Sequence, residues 1–374
     1  MSSFDPVSAI EAIATDVVAP AAAHVDRDGA FPRAAVAALG QAGLLGLTSS
    51  TEVGGHGRGL RDAVAVVERL ARECASTAMI ACMHYSAVAV LEPHGPRDVR
   101  REIAAGRHLS TLAFSEVGSR GQFWAPMSTA TAAGDDVLLT ARKSWITSAG
   151  HADSYVWSSR PVAAAGPSTL WLVPRDAPGL TLAGGFDGLG LRGNDSRPVD
   201  ARDVRVPASA RLGADGAGFD LMLGVVLPTF NVLSAAVSVG LMESATTRTA
   251  AHAGATTFAH LGSSIADLPT ARAYVARMRI ATDQARTLLL DTVDALERGR
   301  PDAVLRVLQS KAAAGEAAAT VTELAMRVCG GAAFRKDVGV ERTFRDARAA
   351  QVMAPTTDVL YDFIGKAVCG LPVF

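Results

Sequence analysis

The spacing of apolar side chains divides this chain into three stretches. Over the first ~110 residues apolar positions recur at helical intervals. Residues 60–74 are representative: Val64, Val67, Leu70, Ala71 and Cys74 follow i, i+3, i+4 spacing, with Arg61, Asp62, Glu68, Arg69, Arg72 and Glu73 on the other faces. The glycines of the preceding Val53-Gly54-Gly55-His56-Gly57-Arg58-Gly59 mark a loop. Over residues 109–212 the period shortens. Runs at 128–133 and 137–142 flank Gly134-Asp135-Asp136, which predicts a hairpin, and shorter runs at 155–158, 169–173 and 204–206 are separated by Gly, Pro and Asp. That pattern predicts a small antiparallel β-domain. After Gly213-Ala214-Asp215-Gly216 helical spacing returns, most clearly at 304–308 and 317–328. Pro269 sits where a helix starts, and Pro355 should bend or start the last helical region. The fold class is therefore α+β, mainly α, with helices on both sides of a β-domain.

A length of 374 residues points to two or three domains, and 49% hydrophobic with 20% charged residues allows a packed interior. A net charge of -1 gives no general field for nucleic acid or anionic lipid. Cys74, Cys82, Cys329 and Cys369 are widely spaced, and the eight histidines show no ligand spacing, so reduced thiols and no metal are expected. The first residues lack the basic-then-apolar order of a signal peptide, and no uninterrupted apolar run reaches the ~18 residues of a span. The expectation is a soluble, cytoplasmic protein without nucleic-acid or membrane partners. Gly55-x-Gly57-x-Gly59 follows no strand and is not a dinucleotide fingerprint; Walker A and Gly-x-Ser-x-Gly motifs are absent.

Four motifs carry a resemblance. Ala113-Phe114-Ser115-Glu116 with Gly118-Ser119 is similar to a Leu-Thr-Glu-Pro-x-x-Gly-Ser-Asp loop. Lys143-Ser144-Trp145-Ile146-Thr147-Ser148-Ala149-Gly150-His151-Ala152-Asp153 is similar to a Lys-x-Trp-Ile-Thr-Asn-Gly-x-x-Ala-Asp strand. Val328-Cys329-Gly330-Gly331-Ala332-Ala333-Phe334, then Glu341-Arg342, resembles a paired-glycine turn and the helix after it. Arg345-Asp346-Ala347-Arg348 resembles the run that leads into Glu-Gly-Thr. In this order over nearly the whole chain, they resemble the acyl-CoA dehydrogenase superfamily. The resemblance implies an N-terminal helical domain at 1–108, a middle β-barrel-like domain at 109–213 and a C-terminal four-helix bundle at 214–374.

It also implies FAD and a homodimer or homotetramer. Phe114 and Ser115 would lie at the flavin, with Ser115 on its pyrimidine ring, and Ser119 at the pyrophosphate. Trp145 would pack its indole on the isoalloxazine and Thr147 would sit near N5. Gly330 and Gly331, with Arg327 before them, would meet the adenosine pyrophosphate of a neighbouring copy. Thr356 would meet the ribityl or phosphate region, and Asp358 replaces a residue that faces the cofactor.

The departures concern the base. The family's Glu-Gly-Thr reads Ala354-Pro355-Thr356 here, and the alternative base position of some relatives aligns with Phe230. Neither side chain accepts a proton. Loss of a general base typically costs about 10²–10⁴-fold in rate. Asp358, four residues after Ala354, and His84, in a region that lines the acyl cavity of relatives, are the substitutes to consider, and no residue is assigned as catalytic. Phe258 replaces the arginine that contacts a partner's FAD, and Arg327 replaces a glutamine. Two functions follow: oxidation of an acyl group on CoA or an acyl carrier protein with a non-standard base, or monooxygenation with reduced flavin and O₂. The partners implied are an acyl thioester, a carrier protein, and a flavin reductase or electron-transfer protein.

Overall fold

Six helices open the chain: α1 (Pro6–Ile13), α2 (Ala19–Asp28), α3 (Arg33–Gln41), α4 (Leu60–Glu73), α5 (Ala75–His94) and α6 (Arg97–Ala104). The computed structural model describes residues 4–119 and 121–373. Asp5 starts α1 by accepting from the Val7 and Ser8 amides at 3.1 and 3.3 Å, with Pro6 at a position whose N–H would be unpaired anyway. The apolar stripe of α4 turns inward as its spacing predicts, burying Val64, Val67, Leu70 and Ala71. Helix α5 has no polar stripe because α4, the C-terminal helices and the first strand cover it from several sides.

The strands are β1 (Ser110–Ala113), β2 (Thr129–Ala133), β3 (Asp136–Ile146), β4 (Ser154–Ser159), β5 (Thr169–Pro174), β6 (Leu180–Leu182), β7 (Arg197–Pro207) and β8 (Arg211–Leu212). They form two four-stranded sheets, β1-β4-β5-β8 and β2-β3-β7-β6. The predicted hairpin is β2–β3, turning at Gly134 with φ +68°. The expectation of an antiparallel domain needs one correction: β1 and β4 pair in parallel, Ser110 opposite Ser154. The chain leaves β1, forms β2 and β3 in the other sheet and returns to β4, the kind of crossover that parallel pairing requires. Tyr155, Trp157 and Trp171 fill the space between the sheets with Leu139, Val199 and Val204.

After α7 (Gly218–Leu221) come α8 (Leu227–Ala255), the short strands β9 (Thr257–Phe258) and β10 (Ser263–Ser264), α9 (Pro269–Glu297) and α10 (Ala303–Cys329). The chain ends with α11 (Val340–Ala347), α12 (Ala349–Val352) and α13 (Thr357–Val368). Helices α8, α9 and α10 pack against one another, and α13 lies on α10, forming the expected four-helix bundle. Helix α8 also packs on α4, where Gly240 is required: a Cβ there would lie 2.4 Å from the Glu68 carbonyl oxygen. One apolar core therefore runs from the N-terminal helices into the bundle.

Three helical stretches are long and apolar enough to cross a membrane by length and composition alone: Pro6–Asp28, Ala75–His94 and Gly218–Ala255. None of them is an uninterrupted apolar run. Within the latter two, 83% and 67% of the most apolar window is buried in the protein, which accounts for a helix apolar on every side.

Candidate active site

A cavity of about 690 Å³ lies where the sheets, α5, the start of α8 and residues 345–356 meet. Its two walls differ in chemistry. The β-side presents uncharged polar groups: Ser115, Thr147, Asn194 and Ser196. Thr147 and Ser196 share a hydrogen bond of 3.0 Å between their hydroxyls. Asn194 is 2% exposed, yet its Oδ1 has no hydrogen-bond partner. The helical side is apolar, with Met79 and Met83 from α5, Leu227 and Phe230 from α8, and Met353 and Ala354 after α12.

Trp145 stands between these walls because β3 is irregular there. The β3–β7 register shifts between Lys143 and Ile146, and Trp145 takes φ +58°. This irregularity, of the kind that re-aims a side chain beside a site, leaves the indole 70% exposed and lining the cavity. The strand is anchored just before this point by Lys143, which is fully buried. Its Nζ donates to Glu116 Oε1 at 2.5 Å, to the Ser158 carbonyl at 2.7 Å and to Ser158 Oγ at 2.9 Å.

Among the described residues, three ionisable side chains line the cavity, Glu116, Arg345 and Arg348, and all are engaged. Glu116 accepts from Lys143 and Ser128 Oγ on one oxygen, and from the Met127 and Ser128 amides on the other. Arg345 binds Asp26 through both terminal nitrogens and Glu341 through Nε, and also donates to the Leu189 carbonyl at 3.0 Å. Arg348 donates to the Phe344 and Ala319 carbonyls and to Thr322 Oγ1. No carboxylate or imidazole among the described residues therefore faces this cavity free to take a proton.

The structure corrects both candidate substitutes for the base. Met79 and Met83 lie one turn apart and face the cavity; His84, about 100° further round the helix, does not. It is buried in the core, where Nδ1 accepts from the Ser110 amide at 3.1 Å and Nε2 donates to the Leu45 carbonyl at 3.0 Å. Burial pulls it down to about 4, so it is neutral and has no free nitrogen. Asp358 would lie one helical turn from Ala354 if a helix joined them, but α13 begins only at Thr357. Ala354 lies outside the helix, and Asp358 is exposed and off the cavity.

Of the other predicted site residues, Phe114, Ser115, Trp145, Thr147, Phe230, Ala354 and Thr356 are brought together on the cavity. Thr356 also caps α13, accepting from the Val359 amide at 3.4 Å. Ser119 lies outside the cavity, its hydroxyl donating to the Glu116 carbonyl at 3.3 Å. Arg327, Gly330 and Gly331 are also outside it, on the surface at the end of α10; Arg327 donates to Tyr274 Oη at 3.0 Å. Sequence reasoning missed Asn194 and Ser196, which have no distinctive local pattern. It also missed Lys311, although a lone lysine in the apolar run Ser310-Lys311-Ala312-Ala313-Ala314 is a signal that could have been read. Lys311 is 2% exposed and donates to the carbonyls on both sides of the cavity-lining Ala354.

Comparison with known proteins agrees with this architecture. Three family models match in order: acyl-CoA dehydrogenase N-terminal domain over residues 7–106, middle domain over 111–204 and C-terminal domain over 216–369. The mitochondrial short-chain specific acyl-CoA dehydrogenase of Bos taurus is 30% identical over 352 residues, covering 91% of this chain and 83% of that protein. Butyryl-CoA dehydrogenase from Megasphaera elsdenii superposes with a TM-score of 0.91 at 22% identity, covering 98% and 97% of the two chains. The prolyl acyl carrier protein oxidase AnaB superposes with a TM-score of 0.88 at 18% identity, covering 97% of each. Three matching models in the right order and a relative sharing nearly the whole length place this chain in the acyl-CoA dehydrogenase family of flavin oxidoreductases.

Proposed function

We propose that the protein is an FAD-dependent oxidoreductase acting on the CH–CH group of an acyl thioester, carried on CoA or a carrier protein. Its α-proton leaves to a group other than a side chain at position 354 or 230. The observation that carries this reading is the two-walled cavity, polar on one side and largely apolar on the other, whose ionisable side chains among the described residues are all engaged. The polar wall fits a flavin. Trp145 offers a planar apolar face, and the buried Asn194 Oδ1 lacks the donor that an N–H of a bound ring would supply. Thr147, Ser196 and Ser115 offer further hydroxyls, and Thr356 closes the rim. When bound, FAD supplies a two-electron acceptor for hydride. Arg327, Gly330 and Gly331, away from this cavity, serve in this reading the cofactor of a neighbouring copy.

The apolar wall binds and excludes. Met79, Met83, Phe230 and Leu227 hold an acyl chain by burying it and keep water from the reacting carbons. The relatives named for acyl-CoA and carrier-protein substrates support a thioester. The lack of a free base favours one second reading, monooxygenation with reduced flavin and O₂, which asks for no carboxylate at position 354. Anaerobic mixing of the flavin-loaded protein with a panel of acyl-CoAs separates them. Bleaching of the oxidised flavin band supports thioester oxidation. Absence of bleaching, together with reductase-dependent oxygen uptake and an oxygenated product, supports the second reading. A protein that binds no flavin sinks both.

A further inference from the structure

Lys311 sits on the buried face of α10 at 2% exposure, and no carboxylate among the described residues pairs with it. An ammonium is strongly disfavoured in such a place unless its N–H groups are met. Here all the acceptors come from one short segment. Nζ donates to the Pro355 carbonyl at 2.7 Å, to the Met353 carbonyl at 3.0 Å and to the Ala350 carbonyl at 3.4 Å. Two of these carbonyls flank Ala354, in the non-helical link between α12 and α13. Among the described residues no backbone N–H donates to the Met353 or Pro355 carbonyl. The link that brings Ala354 to the cavity and Thr356 to the start of α13 is therefore tied by a side chain of a neighbouring helix. The ammonium also lies 6.0 Å from the centre of the Phe230 ring. It thus stands behind both positions, 354 and 230, where relatives carry their base.

We propose that Lys311 is a positioning residue of this site, its ammonium clamping residues 350–355 so that Ala354 and Thr356 stay fixed in the cavity wall. Burial pulls Lys311 down to about 7, with the thiol of Cys82 on α5 the titratable group that acts on it. The ammonium is the form that serves as clamp, because it has a proton for each of the three carbonyls. The flavin measurement below rests on the proposed function; the clamp is also tested without it.

Lys311→Met removes the donors and keeps an apolar stem. Hydrogen exchange at the amides of residues 352–354, 356 and 357 should quicken by about tenfold or more relative to α10, in the absence of any ligand. The flavin Kd, followed by fluorescence quenching, should weaken by about tenfold, and the visible circular dichroism of bound flavin should change. Val321→Ala, at a fully buried position elsewhere on α10, controls for general destabilisation. It should leave exchange at 352–357 and the flavin Kd within about twofold of wild type. Lys311→Gln, with two N–H donors and no charge, should be intermediate, and it takes over as the test if the Met variant does not fold. Wild-type exchange and Kd in both Lys311 variants would overturn the proposal. So would a Val321 variant that reproduces their effects. If wild type binds no flavin, hydrogen exchange alone decides whether the clamp exists, while the functional reading has failed separately.

Discussion

Ala354→Glu restores a carboxylate at the place where the cavity lacks one, and its effect can be worked out from the surroundings. Residue 354 is half-buried in the apolar wall, with Met353 beside it and Phe230 on the same wall. Its backbone is held on both sides, since the carbonyls of residues 353 and 355 receive Lys311 Nζ at 3.0 and 2.7 Å. A glutamate there projects from a fixed point into a cavity of about 690 Å³. A positioned general base contributes about 10²–10⁴-fold, equivalent to about 3–5 kcal/mol of barrier. The apolar wall raises the new carboxyl above its ordinary value of about 4.3, and the ammonium behind it limits that rise. Only the ionised form accepts a proton, so the rate should increase with pH through this raised pKa and then level. The assay is anaerobic stopped-flow bleaching of the flavin band with butanoyl-, octanoyl- and dodecanoyl-CoA, across acidic to neutral pH. The expected result is a gain of about a hundredfold or more for at least one thioester, with an acidic limb absent from wild type. A variant that folds and holds flavin as wild type does, yet bleaches at the wild-type rate at every pH, refutes the reasoning. The α-carbon of a thioester would then not lie over residue 354.

Lys143→Met leaves the Glu116 carboxylate buried without its cation and should cost about 3–5 kcal/mol, a fall in Tm of about 4–6 °C. Adding Glu116→Gln should recover part of this; a single variant that melts with wild type contradicts the assignment. Burial raises Asp346 from 3.8 to about 6, against the hydrogen bond from the Leu191 amide. The native state therefore keeps a proton that the unfolded chain has lost, so this contribution to stability is complete below pH ~4 and is lost as pH rises through about 6. Asp346→Asn, which keeps an acceptor for Leu191, should remove that slope. The stability of wild type relative to the variant should fall by up to about 3 kcal/mol between pH 4 and 7 in urea titrations. Parallel pH profiles would contradict it.

Much of the cavity lining was legible because its residues sit close together in sequence. Ser144-Trp145-Ile146-Thr147 is one strand end, and the run from Arg345 to Thr356 is the end of α11, α12 and the link after it. Where prediction failed, it failed on direction. His84 belongs to the right helix, but helical rotation turns it from the cavity that Met83 lines. Asp358 has the right spacing from Ala354, but that spacing becomes a helical turn only if a helix spans it, and the chain between them runs through Pro355 into a cap at Thr356.

By itself the sequence determined the order of helical and β-domains and the absence of a proton acceptor at positions 354 and 230. These are local properties, set by the period of apolar residues and by residue identity. Only the tertiary structure decided that nothing else in the cavity, among the described residues, replaces that acceptor. Whether Glu116 or Arg348 is free depends on partners 12 and 26 residues away, such as Ser128 and Thr322. Whether a lysine on α10 matters to Ala354 depends on carbonyls 42 and 44 residues further along. Contacts at that separation come from how helices and sheets pack, which the pattern along the chain does not record.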